Sequence, residues 1–201
     1  MNQIITIGRE FGSGGRELGR RLSEELKVAY YDQEIVTEIA KRTALSEQYV
    51  HMILERRPIT SFPIHTGRTF YPSVNPVLEQ THKVFHEQSR ILREMAEQSD
   101  CVIVGRCADY ILRDLKPFRL FVYADMESKM ERCRRKAPEQ EKLTDRDLKK
   151  QILEVDKHRA SYYNFYTGQK WGDRICYDLC INTARGNIKE WSHVLSNLFL
   201  K

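Results

Sequence analysis

No CxxC pair occurs among the five cysteines (Cys101, Cys107, Cys133, Cys176 and Cys180), and none stands at zinc-type spacing from a histidine. An odd count without such a framework argues against a secreted disulfide scaffold, so the thiols are expected to be reduced packing residues. Long apolar runs are missing too: nothing approaches the roughly twenty residues that cross a bilayer. The stretch from Met1 to Gly8 has neither a basic leader nor a small-residue cleavage site, which points to a cytoplasmic protein with no membrane partner. Nor does one sign of charge dominate. The 33 basic and 28 acidic residues leave +5. Because the two signs are interleaved and no nucleic-acid module motif appears, specific nucleic-acid binding is not expected, and an anionic small molecule is the better-matched partner. Internal repeats and low-complexity tracts are absent, and 201 residues suffice for one compact α/β domain.

What is present alternates. Ile4, Ile5, Thr6 and Ile7 form a β-rich run that stops at Gly8, followed after a glycine cluster by Leu18, Leu22 and Leu26 at helical spacing. Val28 to Tyr31 reads as a second strand ended by Asp32, and Ile35, Val36, Ile39 and Ala40 as one face of a helix. Ser46 caps a further helix to about Arg56. Pro58, Pro63, Gly67 and Pro72 then mark a long irregular loop, after which Asn75 and Pro76 open a helix striped by Val77, Leu78, Thr81, Phe85, Leu92 and Met95. Cys101 to Val104 and Leu120 to Tyr123 are solidly apolar, as buried parallel strands are, and Leu179 to Asn182 is a last strand. With helices at about 107–113, 126–137, 144–166 and 188–199, this alternation predicts a three-layer, doubly wound parallel α/β sheet. Residues 127–159 carry 11 Lys or Arg and 8 Asp or Glu among 33, which suits a solvated excursion from the core: a helical lid over about 126–160 of a single domain.

Between the first strand and first helix lies Gly8-Arg9-Glu10-Phe11-Gly12-Ser13-Gly14-Gly15-Arg16-Glu17. Unpaired backbone N–H groups and the helix dipole converge there on an anion, glycines let the backbone curl around phosphate oxygens, and Arg9 and Arg16 supply charge. The GxxxxGK[ST] pattern is not met: Gly15 stands where the lysine belongs and Glu17 where a magnesium-binding Ser or Thr belongs. A nicotinamide-binding reading also has support in Gly12-x-Gly14 and in Asp32 twenty positions on, but Glu17 occupies the place of the third glycine.

Arginines mark three further places. Gly105-Arg106 closes the strand Cys101 to Val104, at the carboxyl end of the sheet, where a guanidinium can clamp a phosphate. Arg132, Arg134 and Arg135 fall together on a helix that can close over transferring phosphates, or simply form a solvated face. In the helix opened by the capping pattern Thr144-Asp145-Arg146-Asp147, Arg159 lies within an apolar stripe three residues after Asp156, so the two form either a structural ion pair or a ligand-facing one. Tyr162, Tyr163, Phe165 and Tyr166 on the same helix are expected to pack into the core.

In order, these features resemble bacterial cytidylate kinases over nearly the whole chain, and Ile7 to Glu17 is similar to the opening of the cytidylate kinase-like family of P-loop proteins. The resemblance implies a nucleoside monophosphate kinase fold and ATP with magnesium as donor. It places Arg9, Gly12, Ser13, Gly14, Gly15, Arg16 and Glu17 around the donor phosphates, with Glu17 or Asp32 toward the metal through water. It further implies Arg106 on the acceptor phosphate, Asp156 with Arg159 and Asp32 about the acceptor, and Arg16, Arg132, Arg134 and Arg135 on the transferred group. The chain departs from the kinase pattern at the missing lysine, at Glu17, at Cys107 in place of the aspartate after Gly-Arg, and at Ile152 in place of an arginine before Asp156. Three classes follow: a kinase of a small nucleotide-like acceptor, a nucleotide sensor without transfer, and, less well supported, a nucleic-acid binder.

Overall fold

The computed structural model describes residues 2–55, 76–137 and 143–200. The loop from Pro58 to Pro72, with Gly67 and Arg68, and the Asn75 cap lie outside them. Five strands run in chain order: β1 (Ile4–Arg9), β2 (Ala29–Tyr31), β3 (Cys101–Val104), β4 (Phe118–Tyr123) and β5 (Leu179–Asn182). They form one parallel sheet in the order β2-β3-β1-β4-β5. The helices among the described residues are α1 (Gly15–Leu26), α2 (Gln33–Thr43), α3 (Glu47–Glu55), α4 (Pro76–Gln98), α5 (Ala108–Ile111), α6 (Met126–Lys136), α7 (Asp145–Thr167) and α8 (Ile188–Phe199). This is the expected doubly wound architecture.

Alternation along the strands builds two cores. Ile5 and Ile7 of β1, Val102 and Val104 of β3, and Leu120 and Val122 of β4 face Leu18 and Leu22 of α1 and Leu195 of α8. Ile4, Cys101 and Ile103 face the other way, onto Ile35 and Ile39 of α2, Leu92 of α4 and Tyr162 and Tyr163 of α7. Strands apolar on both faces must be covered on both faces, which is why helices flank this sheet on either side. Each fully buried leucine or isoleucine contributes about 1.5–3 kcal/mol.

The boundaries follow local backbone chemistry. Val28, expected in the second strand, instead donates its N–H to the Ser23 carbonyl at 3.0 Å, closing α1 behind a left-handed Lys27. The helix expected over 107–113 is shorter because Cys107 is itself left-handed at φ 54, and a 3-10 turn over Arg113–Leu115 follows. The thiols are free as expected. Tyr162 and Tyr163 are buried and Tyr166 stacks on Phe85 with centroids 4.0 Å apart, whereas Phe165 is exposed. No helix among the described residues is long and apolar enough to cross a membrane.

Candidate functional site

β1 is the central strand, with β3 on one side and β4 on the other, so the chain reverses its direction of travel across the sheet at the carboxyl end of β1. Open α/β sheets hold ligands at such a point. Here β1 delivers Arg9, the turn Glu10–Gly14 follows, and α1 begins at Gly15. Gly12 and Gly14 take φ of 75 and 86, which only glycine adopts without strain. Gly14 caps α1 without any side-chain hydrogen bond, leaving the first-turn N–H groups and the positive helix end to an anion. Ser13 is fully buried; its hydroxyl donates to the Glu10 carbonyl at 2.8 Å, and its own carbonyl accepts from Thr183 Oγ1 at 2.6 Å. The missing lysine has a steric counterpart. A Cβ on Gly15 would stand 2.5 Å from Arg9 Cβ and 3.3 Å from Val122 Cβ, so no side chain fits there.

Arg9 runs beneath Gly15 and lays its guanidinium over Gly105, whose left-handed φ of 75 favours glycine and whose missing Cβ leaves the guanidinium its place. Burial, then the charges of Arg159, Arg106 and Arg16, push the Arg9 pKa down to about 9, with Asp32 opposing. Asp32 is buried between two loop arginines: its Oδ2 lies 2.5 Å from Arg16 Nε and its Oδ1 3.8 Å from Arg9 Nη2. It thus orients Arg9 and Arg16. Beyond β3, Gly105, Arg106 and Cys107 are left-handed in succession at φ 75, 61 and 54, a turn that holds Arg106 at the sheet's end while Gln88 Nε2 donates to its carbonyl at 2.9 Å. Two non-glycine residues in this region cost free energy that packing must offset.

The opposite wall is α6, whose N-cap Asp125 accepts from the Ser128 N–H at 2.8 Å. Lys129, Arg132, Cys133 and Lys136 share one face at helical spacing, and that face lies along the loop. A Cβ on Gly12 would meet Cys133 Sγ and the Lys129 carbonyl at 3.0 Å. Lys129 Nζ is 2.6 Å from Glu10 Oε2 and 3.1 Å from Asp156 Oδ2, while Asp156 Oδ1 accepts the Phe11 N–H at 2.6 Å. Arg132 donates to the carbonyls of Ser13 and Thr183. Lys136 Nζ lies 3.1 Å from Glu17 Oε2.

Two cavities open at this end of the sheet, the larger of them between the loop and α6. A cleft of about 780 Å³ is lined by the loop from Arg9 to Glu17, by Arg132, Arg134 and Lys136 of α6, and by Arg159 of α7. A smaller one of about 50 Å³, at the ends of β1 and β3, is lined by Arg9, Arg106, Asp109, Arg159, Tyr162 and Tyr177, among others. Arg9 and Arg159 line both, so cations stand at the boundary the two cavities share.

The structure therefore brings Arg9, Gly12, Gly14, Gly15, Arg16, Glu17, Arg132, Arg134 and Arg159 to one cleft, with Ser13 and Asp32 supporting it from behind and Arg106 in the adjoining cavity. Arg135 is exposed and does not line the cleft, and Arg134 pairs with Asp145. Asp156 faces the loop more than it faces Arg159, whose Nη1 is 3.9 Å away. Burial pushes the Glu17 carboxyl up, but hydrogen bonds from Lys136 and Arg21 outweigh it and hold the group below its usual range. A carboxylate shared by two cations does not fit a magnesium ligand, and no group of three or more His, Cys, Asp or Glu among the described residues is placed to hold a metal ion. Sequence reasoning misses Lys129 and Glu10. The one signal for them is the spacing of Lys129 to Cys133 on a helix facing the glycine turn, and it becomes readable only once that packing is known.

A model of the cytidylate kinase-like family matches residues 4–185. Among curated proteins no sequence matches. An uncharacterized protein from Eubacterium ventriosum is similar at 26% identity and TM-score 0.70, with 98% of each chain covered. A shikimate kinase from Bacteroides thetaiotaomicron matches at 17% identity and TM-score 0.56 over 98% of each chain. A shikimate kinase from Acinetobacter baumannii, solved with shikimate, matches at 15% and 0.52 over 99% of this chain and 93% of that one. The fold is thus the P-loop kinase fold these structures share.

Proposed function

Because the chain belongs to the cytidylate kinase-like family, we propose that it transfers a phosphoryl group from ATP to a nucleoside monophosphate or a similar small acceptor. The observation that carries this reading is the pair of adjoining cavities with Arg9 and Arg159 in their common wall. The donor phosphates lie in the larger cleft, against the N-terminus of α1 and Arg16, and the acceptor's anionic end lies by Arg106 and Arg159 in the smaller. α6 and α7 form a lid whose Arg132 and Arg134 bound the donor side. Phosphoryl transfer rests mainly on alignment and charge neutralisation, so no general base is needed for a phosphate acceptor already ionised at neutral pH. Glu17, shared by Lys136 and Arg21, does not fit a magnesium ligand in this pairing.

The test is formation of a nucleoside diphosphate from ATP with each common nucleoside monophosphate in turn, alongside ATP binding by calorimetry. Product from one of them, lowered in Arg16→Ala with the fold intact, supports the reading; unchanged turnover in that variant removes Arg16 from it. A second reading, a nucleotide sensor without transfer, draws on Gly15, where no lysine fits. It predicts ATP binding and no product from any acceptor.

A further inference from the structure

A side chain at position 15 would collide with Arg9 Cβ at 2.5 Å. The lysine that a phosphate loop ordinarily carries at this position is therefore excluded, and any cation on the donor phosphates beyond Arg16 must come from a neighbouring element. Several cations near the loop are engaged in holding it together. Arg9 and Arg16 flank Asp32. Arg132 is bound to the carbonyls of Ser13 and Thr183, and Lys129 is buried between Glu10 and Asp156. Lys136 differs. It lines the same cleft as Gly14, Gly15 and Arg16, and its side chain is 59% exposed, as is that of Arg16. Arg16, however, is tied to the buried Asp32 and Arg134 to Asp145, whereas the Lys136 ammonium rests on Glu17 in the first turn of α1, a carboxylate that Arg21 continues to hold at 3.1 Å.

Resting on the kinase reading above, we propose that Lys136, delivered from α6, is the donor-phosphate lysine of this protein, with Glu17 as its partner while the cleft holds no nucleotide. Glu17 sits beside the N–H groups that would receive the phosphates, so its carboxylate repels an entering triphosphate unless a cation neutralises it. A half-exposed ion pair is weak and exchanges readily for a multiply charged anion. Lys136 thus moves from one carboxylate to the phosphate oxygens a short distance away, while α6 stays packed on the loop through Lys129 and Arg132.

The experiment is calorimetric binding of ATP and of AMP to the full chain and to Lys136→Ala, Lys136→Arg, Glu17→Gln and Lys150→Ala, with thermal melting of each without nucleotide. Lys150 is a lysine on the solvent face of α7 and controls for overall charge. The expected result is a loss of ATP affinity of about tenfold or more in Lys136→Ala, the size of one charge-assisted hydrogen bond, with AMP affinity and melting little changed. Lys136→Arg should retain most of the affinity, and Glu17→Gln should bind ATP more tightly than the native chain, which a merely structural ion pair would not produce. Equal, small losses in Lys136→Ala and Lys150→Ala would overturn the role of Lys136 and leave the kinase reading standing. Failure of the native chain to bind ATP at all would overturn both.

Discussion

The backbone N–H of Phe11 donates to the carboxylate of Asp156 at 2.6 Å, joining the phosphate loop to a helix 145 positions further along the chain. The other carboxylate oxygen takes the ammonium of Lys129 at 3.1 Å, and that ammonium also meets Glu10 at 2.6 Å. One buried cation therefore closes a three-way contact between loop, α6 and α7. Removing it leaves two acidic groups facing each other in a poorly solvated space, where breaking such a network is far costlier than its net worth when intact. Lys129→Met should lower stability by about 2–4 kcal/mol, read as a fall in the urea midpoint. Asp156→Asn should cost less, because its amide oxygen still accepts from Phe11 while one negative charge is gone. A Lys129→Met midpoint equal to the native one would mean that Glu10 and Asp156 are solvated after all.

Arg9 is crowded by Arg159, Arg106 and Arg16 in a buried setting that only Asp32 offsets, and this is the state an anion relieves. Inorganic phosphate should raise the melting temperature above that in chloride of matched ionic strength. At ten times its dissociation constant the gain is about 1.4 kcal/mol, or roughly 3–5 °C for a chain of this size. Arg9→Met should lose that gain. Equal melting in phosphate and chloride would argue against an anion site at the end of β1.

Much of this is legible in the sequence because it is local. Both-sides-apolar strands such as Cys101 to Val104 announce a covered parallel sheet, and Gly12, Gly14 and Gly15 after β1 announce a turn around an anion. Side-chain destinations are less legible, since they depend on contacts across the chain. The sequence presents Asp32 as a ligand group, yet it holds Arg9 and Arg16. Spacing pairs Asp156 with Arg159, yet its shorter contacts are to Phe11 and Lys129, which lie on two other elements. Proximity along the chain groups Arg135 with Arg132, but of the two only Arg132 lines the cleft.

Two left-handed glycines separate backbone strain from function. Gly168, at φ 68, has nothing within 4 Å of where a Cβ would stand, whereas a Cβ on Gly105, at φ 75, lands on the Arg9 guanidinium. Gly168→Ala should carry only the conformational penalty of about 1–2 kcal/mol. Gly105→Ala should carry that penalty and also push Arg9 off Asp32, abolishing the stabilisation by phosphate. Phosphate still protecting the Gly105→Ala protein as it protects the native one would show that the placement of Arg9 over Gly105 is not needed for binding.

Asp109, buried beside the smaller cavity, lies 2.6 Å from the hydroxyl of Tyr163. Burial pushes its carboxyl above the usual range, and the Tyr163 hydrogen bond opposes this without cancelling it. A carboxyl whose folded pKa is raised binds its proton more tightly in the folded chain. Its contribution to stability is therefore complete below the unfolded value, near pH 4, and is lost as pH rises through the folded one. Asp109→Asn is neutral at every pH and keeps an oxygen for Tyr163, so it lacks this falling contribution. Urea unfolding at intervals upward from pH 4 should show the native chain losing stability relative to Asp109→Asn, by at most about 1.4 kcal/mol per pH unit, until the pH passes the folded pKa, and then running parallel to it. A native chain that gained on the variant as pH rose would reverse the sign and place Asp109 among carboxylates stabilised in their charged form, with Tyr163 rather than burial deciding its state.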